Sequence, residues 1–123
     1  MPWQYSQRTG QLSRNGHVFH PAGYSGAGDG VGKNMPTMEH IRNVGPIPRG
    51  QYRIGPAHTH PGKGPVVMTL TPVGHNAHGR THFLIHGDSI TDPGNASQGC
   101  IVLRPELRQA IAVSGDTVIE VVE

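Results

Sequence analysis

The sequence predicts a mainly β, single-domain fold spanning residues 1–123, with one short helix near its C-terminal end. Three observations carry this. The chain holds 18 Gly and 11 Pro, with 34% hydrophobic and 5% aromatic residues, a composition that suits short strands joined by many turns rather than a helical bundle. Residues 82–86 alternate with period two, Phe83 and Ile85 on one face and His82, Leu84 and His86 on the other. Further on, Pro105 suits a helix's first turn, Leu107, Ala110 and Ile111 follow helical spacing, and Gly115 marks the stop.

Taken in order, residues 3–8 and 11–14 flank Thr9-Gly10 and form a predicted hairpin, with a third short strand through His17-Val18-Phe19. Residues 23–50 are rich in glycine and proline and poor in core candidates, so a long loop is expected. A loop of that length in a small domain is often functional. It is not a phosphate loop, because no GxxxxGK[ST] pattern occurs. Gln51–Ile54 and Pro65–Thr71 are predicted strands, residues 72–80 a turn-rich connector, and residues 82–86 the central strand. Ile101-Val102-Leu103 is a buried strand-like run, and Thr117–Val122 closes the chain as a strand.

Bulk properties exclude several classes. The formal net charge is +2, and no Lys/Arg cluster interleaves with aromatics, so no nucleic-acid partner is expected. No apolar run approaches membrane-spanning length, so no membrane insertion is expected. One cysteine excludes an internal disulfide. The opening MPWQYSQRTG lacks a basic start followed by an apolar core, so no ordinary secretion signal is expected.

The chemistry concentrates in HFLIHGDSITDPGNASQGCIVL, residues 82–103. Cys100 is the single cysteine, and His86-Gly87 ends the strand upstream of it. A cysteine nucleophile needs a base to form the thiolate, and histidine can take that proton near neutral pH and return it to a leaving amine. The order His before Cys disfavours papain-like enzymes, in which cysteine comes first. Gly99 removes a side chain where a substrate carbonyl would need backbone N–H groups within reach.

His86-Gly87, a spacer, and Ser97-x-Gly99-Cys100-Ile101 resemble the L,D-transpeptidase catalytic signature. Housekeeping members of that family usually carry His where Gln98 stands and Arg where Val102 stands. Those departures, with Tyr24-Ser25-Gly26, Gly45-Pro46-Ile47-Pro48-x-Gly50-x-Tyr52 and Gly79-Arg80, make the chain more similar to the type VI secretion L,D-transpeptidase effector family.

The resemblance implies an L,D-transpeptidase-like β-sandwich or barrel and an antibacterial toxin acting on peptidoglycan stem peptides. Cys100 would attack the carbonyl of the L-centre diaminopimelate of a tetrapeptide and expel the terminal D-alanine. Water would resolve the thioester as an L,D-carboxypeptidase, or an amine would resolve it by exchange or cross-linking. His86 would be base and acid, the N–H groups of Gly99 and Cys100 oxyanion donors, and Ser97 a loop or site residue. Arg80, Arg104, Tyr24 and Asp88 would be substrate-binding candidates, with Asp88 or a backbone carbonyl orienting His86. No cofactor is implied. The partners implied are a cognate immunity protein and a component of the secretion apparatus. The protein would be made in the cytoplasm and delivered to the periplasm of a target bacterium.

Two other classes compete. A non-catalytic peptidoglycan-binding module would bind without turnover. A metal hydrolase would draw on His58-x-His60, His75-x-x-His78, His82 and His86. No HExxH occurs, and if His82 and His86 share a strand about 13 Å separates them, too far for one ion. Sortase-like enzymes also place His before Cys, but their TLxTC-type approach to the cysteine is absent.

Overall fold

A computed structural model describes residues 2–123. Ten strands form one sheet: β1 (Trp3–Ser6), β2 (Leu12–Arg14), β3 (His17–Phe19), β4 (Tyr24–Ser25), β5 (Gly50–Ile54), β6 (His58–His60), β7 (Gly64–Val73), β8 (Phe83–His86), β9 (Ile101–Val102) and β10 (Val118–Val122). One helix, α1 (Pro105–Val113), precedes β10. The spatial order is β3-β2-β1-β10-β5-β7-β8-β9-β4, with β6 paired to β7 off that path.

The alternation sets the core. Trp3 and Tyr5 of β1, Tyr52 and Ile54 of β5, Phe83 and Ile85 of β8, and Ile119 and Val121 of β10 all bury their side chains in one cluster. The helix adds Leu107 and Ile111 and ends at Val113, with Gly115 beyond it in the left-handed region. No helix among the described residues is long and apolar enough to cross a membrane.

Three local expectations need correction. Residues 23–50 are not a bare loop: they carry β4, a wide turn at Gly28–Gly32 and a 3₁₀ turn at Pro36–Met38, and Ile47 is fully buried in the core. β6 was not foreseen, because His58 and His60 are exposed or half-buried and pair only with β7. The connector begins later than residue 72, since β7 runs to Val73.

Glu39 ties that long loop down. Its carboxylate accepts hydrogen bonds from Gln7 Nε2 (2.8 Å), the Arg49 backbone N–H (3.1 Å) and His78 Nε2 (3.0 Å). Burial alone would raise its pKa. The hydrogen bonds from Gln7, Arg49 and His78 outweigh burial and hold it at about 2, against an ordinary 4.5. A depressed carboxyl contributes stability that is complete above its unfolded pKa and is lost as pH falls through its folded one. Glu39 is therefore expected to contribute up to about 3 kcal/mol, disappearing between about pH 4.5 and 2. Urea denaturation of wild type and Glu39→Gln across that range checks this. Equal acid sensitivity of the two proteins would refute it.

Candidate active site

Strand register brings the two key residues together. β8 and β9 run parallel, pairing Ile85 with Ile101 and His86 with Val102. Cys100, just ahead of β9, is therefore level with Leu84, two residues before His86. At ordinary strand rise and spacing their Cα atoms lie roughly 8 Å apart, on the same face of the sheet. Cys100 and His86 both line one cleft of about 690 Å³, together with Arg42, Asn43, Lys63, Arg80, Thr81, His82, Phe83, Leu84, Asn95, Ala96, Gln98 and Gly99.

The imidazole of His86 is fully buried, and its Nδ1 lies 2.7 Å from the Gly87 carbonyl oxygen. A carbonyl can only accept, so Nδ1 carries the proton and Nε2 presents its lone pair in the neutral ring. Nε2 is buried and makes no hydrogen bond among the described residues. Burial lowers the pKa of His86, and the charges of Lys63 and Arg108 act in the same direction, while the Gly87 bond opposes them. The neutral base is thus the resting form. The orienting group is the Gly87 carbonyl, not Asp88. A Cβ at Gly87 would lie 2.8 Å from Arg108 Nη2, so the arginine packs closely against this position.

Cys100 is half-buried, and its Sγ donates weakly to the His82 carbonyl at 3.7 Å. His82 supplies that carbonyl from a left-handed backbone (φ 67°) immediately before β8, an uncommon conformation for a residue with a Cβ. Burial raises the thiol's pKa, while a Leu84 backbone hydrogen bond and the charges of Lys63 and Arg80 pull it down. A neutral thiol and a neutral imidazole in one cleft make a pair in which the base must act as the nucleophile attacks.

The turn that presents Cys100 is built around Ser97 and Gly99. Ser97 is buried; its Oγ donates to the Cys100 carbonyl (2.6 Å) and accepts from Gly26 N–H (3.0 Å) and Gly99 N–H (3.1 Å). Ser97 thus fixes the turn that carries Cys100. The Gly99 N–H is already engaged, which corrects its assignment as an oxyanion donor. Gly99 is required for another reason: its φ is +140°, and a Cβ would sit 2.5 Å from Arg80 Nη2. Its carbonyl accepts from Ser25 Oγ at 3.2 Å, an anchor the sequence reading missed.

Arg80 is also reassigned. Its guanidinium is buried and donates to four carbonyls, those of Glu39 (2.6 Å), Pro46 (2.8 Å), Gly45 (3.0 Å) and Gln98 (3.1 Å). It lines the cleft, but its Nη donors clamp the long loop to the turn before the nucleophile instead of awaiting substrate. Tyr24 and Asp88 are loop organisers in the same way. The Tyr24 hydroxyl donates to Asp88 Oδ1 (2.6 Å) and accepts from Ala96 N–H (2.8 Å), and Asp88 also accepts from Ser89 and Gly94 N–H groups. Neither lines the cleft. Arg104 is exposed ahead of α1, paired with Glu106 at 3.4 Å, and stands outside the cleft too.

The site residues not anticipated are Arg42, Asn43, Lys63 and Asn95 at the cleft wall, and Arg108 behind His86. The buried Arg108 holds the carbonyls of Leu103 and Pro65 at 3.1 and 2.7 Å. An arginine on a helix signals a solvated charge in sequence, so nothing marked this one as buried. The histidines do not converge: among the described residues no group of three or more His, Cys, Asp or Glu could hold a metal ion.

A sequence profile for the Tlde1 domain matches residues 19–117. No curated protein matches the chain significantly. Among solved structures, Bd1075 of Bdellovibrio bacteriovorus is similar with a TM-score of 0.64 at 16% identity, covering 99% of this chain and 47% of its own. The LD transpeptidase LdtMt1, solved in complex with imipenem, gives 0.55 at 18% identity, covering 98% and 57%. An L,D-transpeptidase from Mycobacterium smegmatis gives 0.51 at 15% identity, covering 98% and 58%. The chain thus spans about half the length of these structural neighbours. The profile takes in both Cys100 and His86 as well as most of the sheet, and the neighbours share its architecture: the fold is that of L,D-transpeptidases, and the chain belongs to the Tlde1 domain family, the type VI L,D-transpeptidase effector family.

Proposed function

We propose that this chain modifies peptidoglycan by cysteine acyl transfer on tetrapeptide stems. One observation carries the proposal: Cys100 and a His86 whose Nδ1 is tied to Gly87 line the same cleft, with the His86 lone pair at Nε2. His86 Nε2 takes the thiol proton as Sγ attacks the carbonyl of the L-centre diaminopimelate. The Cys100 N–H is the backbone donor left to the oxyanion once Gly99 N–H is committed to Ser97. The C–N bond breaks, the imidazolium returns its proton to the departing D-alanine amine, and a thioester remains. Water then attacks with His86 as base, releasing the tripeptide acid and the free thiol. An amine in place of water gives exchange or a cross-link.

Family membership supports use as a secreted antibacterial effector, with action in a target cell's periplasm, a cognate immunity protein and a secretion-apparatus partner as its corollaries.

The test is mass spectrometry of purified tetrapeptide muropeptides incubated with the protein. Loss of one alanine, or its replacement when a D-amino acid is added, is the expected result. Unchanged muropeptides with binding retained would mean a peptidoglycan-binding module instead.

A further inference from the structure

The cleft is lopsided in charge. Its lining holds three cations, Arg42, Lys63 and Arg80, and no carboxylate. Arg80 is buried and its Nη groups are committed to backbone carbonyls. Arg42 and Lys63 differ from it. Both are exposed, and neither joins an ion pair among the described residues, although Lys33, Arg49 and Arg104 each find a carboxylate. They come from separate elements, Arg42 from the long loop that Arg80 clamps and Lys63 from the turn between β6 and β7. The charge of Lys63 reaches both His86 and Cys100, and that of Arg42 reaches Arg80.

Two cations without ion pairs in the nucleophile's cleft, with no carboxylate in its lining, form a field that draws and orients an anionic substrate. On the acyl-transfer reading, on which this inference rests, the residue expelled when Cys100 attacks bears a free carboxylate one residue beyond the bond that breaks. We propose that Arg42 and Lys63 hold the terminal carboxylate of the leaving residue, so that the cleft selects stem peptides ending one residue past the scissile bond. Lys63 acts as a point charge that needs no fixed geometry, and Arg42 offers a planar fork able to grip both carboxylate oxygens. Both are exposed, so the selection weakens as salt rises.

The experiment compares the tetrapeptide stem as free acid and as C-terminal carboxamide, with wild type, Arg42→Gln, Lys63→Gln, the double variant and Lys63→Arg. Alanine or alaninamide release gives kcat/KM, and equilibrium binding of both peptides to the same proteins carrying Cys100→Ala gives affinity without turnover. Wild type is expected to favour the acid by on the order of tenfold, carried in KM, as two exposed charge pairs allow. The double variant loses that preference by slowing only on the acid, and Lys63→Arg keeps most of it. Equal use and binding of acid and amide by wild type overturns the inference, as does a double variant that still prefers the acid. Acid-selective binding abolished by the double substitution, in a protein that turns over neither peptide, upholds carboxylate recognition while removing the acyl-transfer reading.

Discussion

Cys100→Ala and His86→Gln are each expected to lower alanine release from tetrapeptide stems by at least about a thousandfold, and the double variant no further. The reason is that the two act as one device. The thiol is raised by burial, so without a base it stays protonated at neutral pH. The imidazole has Nδ1 fixed on Gly87, so without sulfur its Nε2 has no proton to move. Glutamine at 86 can still donate an amide hydrogen to the Gly87 carbonyl but cannot act as a base, which separates chemistry from packing. Cys100 is only half-buried, so its truncation leaves the core untouched. Muropeptide turnover and circular dichroism of all four proteins make the measurement. Losses that multiply in the double variant, or a Cys100→Ala protein that stays active, would dismantle the pairing.

The second large effect falls on a residue that touches neither substrate nor sulfur. Arg80→Met is expected to destabilise the fold by about 3–5 kcal/mol, because it removes a buried cation from four carbonyl acceptors and leaves them without donors. For a domain of this size that means a melting temperature lower by about 10 °C or more. Activity should fall even at temperatures where the variant is folded, since the Gln98 carbonyl, two residues before the nucleophile, loses its tether. Arg80→Lys should recover little, for an ammonium has three donors and no fork. Thermal melts and turnover at low temperature decide it. A methionine variant melting within a degree or two of wild type would show that the clamp contributes nothing.

The sheet was legible because its physics is local. Alternation at Phe83 and Ile85 gave the core face, Thr9-Gly10 gave the first hairpin, and Pro105 with the Leu107–Ile111 spacing gave α1. β4 and β6 escaped because Tyr24-Ser25 and His58–His60 carry no alternating apolar signal; their pairing to β9 and β7 defines them. The approach of Cys100 to His86 could be proposed from order and resemblance, while the parallel register that produces it is a long-range fact. Polar roles were the least readable. Arg80, Asp88, Tyr24 and Ser97 have the right chemistry for a site, but their partners stand 1 to 72 residues away. Sequence states what a side chain can do, not which backbone atom claims it first. Gly99 is the sharpest case: its missing side chain makes room for an arginine, and its N–H answers to a serine.

All four hydrogen bonds of Arg80 are made on main chain. Gln98, whose side chain is exposed, enters only through its carbonyl oxygen, as do Pro46 and Gly45. Such hydrogen bonds are blind to the side chain of the residue they hold, so mutational drift at Gln98 leaves the tether on its carbonyl undisturbed while the arginine itself stays constrained.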